Sequence, residues 1–105
     1  VQQAADNYYI ELTINKSGDP FITPLESKII QTSMDATGTR QAYTVPYGTD
    51  GLVFGKKLEL VVMGPGDIKQ AHTVNEWMSL EQFDRAIEIY KNMIHRFCVD
   101  GSLAL

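Results

Sequence analysis

The sequence is poor in cysteine, in long apolar runs and in basic charge, and each shortage narrows what the protein does. Cys98 is the only cysteine among 105 residues, which excludes an intramolecular disulfide framework and suits a reducing compartment. The longest uninterrupted apolar stretch is 60–63, far short of the roughly 20 residues that span a membrane. The N-terminus lacks the basic-then-apolar pattern of a signal peptide. There are 9 Lys and Arg against 13 Asp and Glu, net −4, and no block is basic enough to track a phosphate backbone. Nucleic acid and membrane are therefore disfavoured as partners, and a soluble, cytoplasmic protein is expected. What is present, 44% hydrophobic and 21% charged residues, is the composition of one globular domain with no room for a second full one. The chain starts at Val1 rather than Met, and is expected to be a cloned piece, a processed product or a fragment.

Periodicity divides the chain into elements. Tyr8, Ile10, Leu12 and Ile14 alternate with polar or exposed-type residues, a period of two that predicts a half-buried strand over 8–14. Turn formers follow over 15–20. Thr23, Pro24 and Glu26 have the spacing of a capping box, in which the Thr23 hydroxyl accepts the Glu26 N–H. The helix they open runs to Gly38, placed to end it with positive φ. A short strand is expected over 41–45, and Thr49 or Asp50 is set to cap a short helix stopping at Gly55. Residues 58–63 are nearly all apolar, the pattern of a strand covered on both faces. The run 64–77 is too rich in breakers for a regular element. Ser79 and Gln82 form a second capping box. It opens the strongest helix, with Phe83, Ala86, Ile87, Tyr90, Met93, Ile94 and Phe97 on one face. Helices alternating with strands predict an α/β fold.

The residues able to carry chemistry are few. His95 sits at a polar position near the end of the last helix and reads as a surface residue favourably placed for the helix dipole. His72 lies on the loop after the apolar strand, where open α/β sheets bind ligands. A lone imidazole is not a metal site, and no HxxxH, HxH or CxxC spacing stands near it. Asp50, Asp67 and Glu76 supply oxygens only if the chain folds them together. The stretch 48–51, Gly-Thr-Asp-Gly, opens a short helix whose first N–H groups are expected to lack partners, so an anion cradle and a plain N-cap stand as equal readings. Residues 64–66 read mostly as a turn, Cys98 as an inert buried thiol, and the methionines as packing. No GxSxG elbow is present.

Taken together, these blocks resemble a known family. Gly64-Pro65-Gly66-Asp67-Ile68, Gln70-Ala71-His72 and Asn75-Glu76, followed by a capped amphipathic helix, resemble the C-terminal signature of the M20 family of zinc-dependent amidohydrolases. The likeness is nearest to its acetylornithine deacetylases and succinyl-diaminopimelate desuccinylases. Asp19-Pro20-Phe21-Ile22-Thr23-Pro24 is similar to that family's Pro-Phe-Leu-Thr entrance to a helix, and Tyr47-Gly48-Thr49-Asp50 to its Gly-Thr-(Ser/Asp/Glu) loop. The likeness covers residues 7–98.

The resemblance implies that the chain is the C-terminal part of a sheet with flanking helices, incomplete alone. Residues 1–16 would be the last strand of a lid or dimerisation domain, and 17–105 the C-terminal segment of the catalytic domain. It implies that His72 is a metal ligand, that Gly48 and Thr49 bind substrate, and that Glu76 holds the loop beside the metal. The cofactor implied is zinc or cobalt, two per intact enzyme. The activity implied is hydrolysis of the amide of a small N-acylated amino acid, in amino-acid and particularly arginine biosynthesis, by a homo-oligomer. The family's His-x-Asp block, bridging acid and general-base Glu are absent from these residues. Two-metal hydrolysis needs metals about 3.5–4 Å apart, so no catalytic residue is assigned and the chain alone is expected to be inactive. The alternative is a non-catalytic α/β module that binds a small anion or serves assembly.

Overall fold

A computed structural model describes residues 2–13 and 18–100. Among these residues four α-helices follow one another: α1, Gln2–Asn7; α2, Lys28–Thr37; α3, Gly51–Phe54; and α4, Leu80–Ile94. A 3-10 turn lies at Ile68–Gln70, and α4 continues into a π turn, His95–Val99.

The packing centre is the pair α2 and α4. Ile30 and Ser33 of α2 are buried, as are Ala86 and Met93 of α4, and the Ser33 hydroxyl meets the Met93 sulfur at 3.9 Å. Three polar links surround that contact. Arg85 donates to the Thr37 carbonyl at 2.8 Å, Arg96 pairs with Asp35, and the Lys28 ammonium lies 5.8 Å from the Phe97 ring centre. Gly38 ends α2 at φ +72, with its own N–H and that of Thr39 returned to Asp35 and Met34 carbonyls, as its position in the sequence predicts. Ser79 caps α4, accepting the Gln82 N–H at 3.1 Å, again as predicted.

No strand forms among the described residues, although three were expected, and the reasons differ. Over 8–10 the chain leaves α1 by a turn: the N–H groups of Tyr8 and Ile10 return to the Ala5 carbonyl and that of Tyr9 to Asp6. Tyr9 is left-handed, at φ +53, which a strand does not accommodate. Ile14 of that expected strand lies outside the described residues. The segments 41–45 and 58–63 differ in having no ladder to join. Strand structure is a property of pairs, and among the described residues the backbone hydrogen bond made by either segment is the local turn from the Leu58 N–H to the Phe54 carbonyl at 3.0 Å.

Thr23 explains a further difference. Its hydroxyl donates to the Leu60 carbonyl at 2.6 Å and accepts the Leu60 N–H at 3.0 Å, so it does not cap a helix at Glu26. Residues 25 and 26 instead form a turn in which the Ser27 N–H donates to the Pro24 carbonyl at 3.0 Å. Helix α2 starts only at Lys28, and the Ser27 hydroxyl is buried without a hydrogen-bond partner.

Little is enclosed. Among the described residues the buried apolar ones are Ala5, Ile30, Ala86 and Met93, and no large side chain among them is fully buried. Phe83 and Ile94, on the apolar face of α4, remain 47% and 59% exposed. The radius of gyration is 18.6 Å, against about 13 Å for a closed domain of this length. No helix among the described residues is long and apolar enough to cross a membrane.

The 18–24 segment is fixed by its aromatic ring. Phe21 lies against α3 so closely that a Cβ built on Gly51 or Gly55 comes within 2.6 Å and 2.5 Å of ring or Cβ atoms of Phe21. Gly55→Ala is expected to destabilise the Phe21–α3 contact by about 1–3 kcal/mol, read as loss of the upfield-shifted resonances that the ring induces in α3. Ser79→Ala is expected to cost α4 about 1 kcal/mol, read as lower amide protection in its first turn.

Candidate functional site

The loop between 63 and 79 is pinned at both ends to α4. The Tyr90 hydroxyl donates to the Met63 carbonyl at 3.3 Å, and Ser79 caps the helix. Gly66 turns the chain at φ +90, a conformation that disfavours any residue with a Cβ. Asp67 then accepts the Lys69 N–H at 2.9 Å and starts the 3-10 turn. The Gln70 carbonyl takes both the N–H and the hydroxyl of Thr73.

His72 follows in a left-handed conformation, φ +60, and Asn75 in another, φ +59. Asn adopts that region readily; His does so at a cost of order 1 kcal/mol or more. The Glu76 carboxylate meets that cost in part, accepting the His72 N–H at 3.1 Å across four residues. The imidazole itself is exposed, and no described residue hydrogen-bonds to its ring nitrogens. Both are open to a ligand.

The acids named from the sequence do not gather around it. Asp67 is occupied by the Lys69 N–H and Glu76 by the His72 N–H. Among the described residues no group of three or more His, Cys, Asp and Glu side chains is placed to hold a metal ion. A metal site requires three or four protein ligands or their equivalent, so the described residues do not fit a complete centre.

The 48–51 loop resolves toward a cap. The Gly51 N–H donates to Thr49 Oγ1 at 3.1 Å, and the N–H groups of Leu52 and Val53 return to the Thr49 and Asp50 carbonyls at 3.0 Å each. The amides expected to be free for an anion are consumed by the turn itself, which corrects the cradle reading at α3. Gly48 sits against Leu52, where a Cβ would lie 3.1 Å from a Leu52 methyl. No hydrogen bond or ion pair joins this loop to residues 72–76 among the described residues.

Two further expectations sort differently. His95 is exposed, as expected, with Nδ1 3.2 Å from Asp100 Oδ2. Cys98 is exposed rather than buried; it lies in the π turn closed by the Asp100 N–H on the His95 carbonyl, one turn after Ile94, which is itself exposed. Sequence reasoning missed the Phe21 seat on Gly51 and Gly55, whose signal was two glycines four apart on one helix face. It also missed the Tyr90 tether, for which no local signal exists.

The model of peptidase family M20/M25/M40 matches residues 8–96. The chain belongs to that family. Curated relatives carry the name acetylornithine deacetylase. The protein from Photorhabdus laumondii is 29% identical over 94 residues, covering 87% of this chain and 24% of its own length. That from Vibrio parahaemolyticus is 32% identical over 79 residues, 75% of this chain and 18% of its own. That from Pasteurella multocida is 36% identical over 58 residues, 55% of this chain and 15% of its own. The family member described here thus spans about a quarter or less of the length of these relatives. No solved structure matches it.

Glu76→Ala is expected to free the His72 amide and raise its hydrogen-exchange rate about tenfold. Glu76→Gln, which keeps an oxygen acceptor, is expected to change it less. Equal rates in all three proteins would remove Glu76 from any part in shaping the loop.

Proposed function

We propose that this chain is the C-terminal portion of a metal-dependent N-acyl amino acid deacylase, one that hydrolyses the amide of a substrate like N-acetylornithine. An N-succinyl substrate is the next choice. What carries the reading is the family match over residues 8–96, together with relatives named acetylornithine deacetylase. The coverage of 24% or less of their length supports the view that most of the catalytic apparatus lies outside these residues.

Within that protein His72 contributes one ligand to a zinc or cobalt centre whose remaining ligands come from the rest of the polypeptide. Its exposed, unpartnered ring supports this, and so does the loop that turns it outward. Glu76 is a positioning residue, acting on the backbone of His72 rather than on a metal. Gly48 and Thr49 stand on the substrate side, a role that rests on the family likeness of their loop. Residues 58–63 and 41–45 become strands of the catalytic sheet, and 1–16 belongs to a lid or dimerisation domain. The whole enzyme is a cytoplasmic homo-oligomer, and the 105 residues alone do not hydrolyse substrate.

The test is to express the complete reading frame and measure its mass, its metal content and its hydrolysis of N-acetylornithine. A polypeptide several times longer, holding about two metals per chain, is expected. In it His72→Ala is expected to lower the bound metal and abolish turnover while leaving the fold intact by circular dichroism. A metal-free protein, or full metal and activity in His72→Ala, would overturn the assignment.

A further inference from the structure

Between α4, the C-terminal end of α2 and the turn at 64–66 lies an open cleft of about 330 Å³, at the lower end of the roughly 300–1,000 Å³ typical of small-molecule sites. Its apolar lining is Met63, Pro65, Ala86 and Ile89. Its polar lining is dominated by hydrogen-bond donors. One terminal nitrogen of the Arg85 guanidinium donates to the Thr37 carbonyl at 2.8 Å; the other terminal nitrogen and Nε have no acceptor among the described residues. The Gln82 carboxamide and the N–H groups of Gly64 and Gly66 likewise donate to no described residue. The hydroxyls there are committed, that of Tyr90 to the Met63 carbonyl at 3.3 Å and that of Thr37 to the Ser33 carbonyl at 2.7 Å.

Charge sets this cleft apart. The chain carries net −4, yet no described Asp or Glu lines the cleft. Glu81 and Glu88 stand four residues before Arg85 and three after it, the spacing at which side chains of one helix meet. Arg85 pairs with neither, and Glu88 is taken by Lys91 at 2.8 Å. The guanidinium is therefore tied to α2 with its charge unanswered by an acid.

The geometry points to a binding site for a small monocarboxylate with a short apolar chain, its carboxylate on Arg85 and Gln82 and its chain against Met63, Pro65 and Ile89. An ionised carboxylate only accepts hydrogen bonds, which is what donors without acceptors require, and its two oxygens match the guanidinium fork. A neutral apolar ligand would cover the hydrocarbon and leave the cation unanswered. Inorganic phosphate would do the reverse, and brings more charge than one cation offsets. Neither His72 nor the 48–51 loop lines the cleft, and the site stands whether or not the chain serves a deacylase. The turn at 64–66 is common to the cleft and to the loop that carries His72, so a bound carboxylate braces the base of that loop.

The test uses the protein from the complete reading frame, titrated by calorimetry with hexanoate, with hexanamide as its uncharged counterpart, and with inorganic phosphate. Hexanoate is expected to bind with a Kd of about 1 mM, and the other two at least about tenfold more weakly. Saturating hexanoate is expected to slow amide exchange about threefold or more in peptides covering 64–66 and 82–90. Arg85→Gln is expected to weaken hexanoate about tenfold. That substitution also removes the bond to Thr37, so the comparison of hexanoate with hexanamide on the unsubstituted protein carries the charge test alone. Equal binding of the acid and the amide, or no binding of hexanoate, would overturn the proposal. Phosphate binding as tightly as hexanoate would reduce the site to a general anion contact and overturn the carboxylate assignment. Protection confined to other segments, or full affinity in Arg85→Gln, would place the carboxylate elsewhere and sink the site. Hydrolysis of N-acetylornithine by the same preparation is read separately: its absence removes the deacylase reading and leaves the cleft untouched.

Discussion

The exchange between Thr23 and Leu60 shows the constraint under which the rest of this structure is built. Backbone N–H and C=O groups require partners, and helices supply their own whereas strands depend on neighbours. In this chain the segments that satisfy themselves, α2 and α4, are formed and packed together. Those that depend on neighbours are left without a ladder, except where a side-chain hydroxyl reaches Leu60 from 37 positions away. The same constraint delays the start of α2. A hydroxyl committed to Leu60 is not available at Glu26, so the turn at 25–26 intervenes and Ser27 takes the cap position without using its own hydroxyl.

Legibility from the sequence follows the same line. Gly38 and the Ser79–Gln82 pair were readable because their partners lie within a few residues, and the conformation at each is set locally. The breaker-rich character of 64–77 was readable for that reason too. The pattern in 58–63 is a statement about which side chains are to be covered, and among the described residues Leu58 and Val62 stay exposed. The site divides in the same way. The capping geometry of 48–51 is local, and choosing it over an anion cradle required only knowing that Thr49 turns its hydroxyl onto Gly51. The motif singles out His72 as a candidate, but its left-handed backbone was not legible, because His seldom adopts that conformation without an external hold such as the Glu76 carboxylate.

That hold bears on how a lone imidazole is made useful. Its backbone is fixed in two ways, by the 3-10 turn before it and by Glu76 after it, while its ring is exposed and no described residue hydrogen-bonds to it. Rigid support with a free donor is what ligand positions in metal sites require. It is also an arrangement that gains its worth only when other donors arrive from elsewhere, since the nearby acids are already engaged with main-chain amides.

The π turn at the end of α4 has a consequence for tolerance to insertion and deletion. Each residue of an α-helix advances the side chains by about 100° around the axis, and a π turn inserts the equivalent of one residue without breaking the rod. Arg96 and Phe97, in the first half of that turn, meet Asp35 and Lys28 on α2. Removing a single residue from the His95–Val99 stretch would leave composition and helical length nearly unchanged, yet swing the guanidinium and the ring away from α2. The contacts that hold the end of α4 to α2 thus depend on helical phase, so relatives that differ there in length by one residue would have to anchor that helix by other contacts.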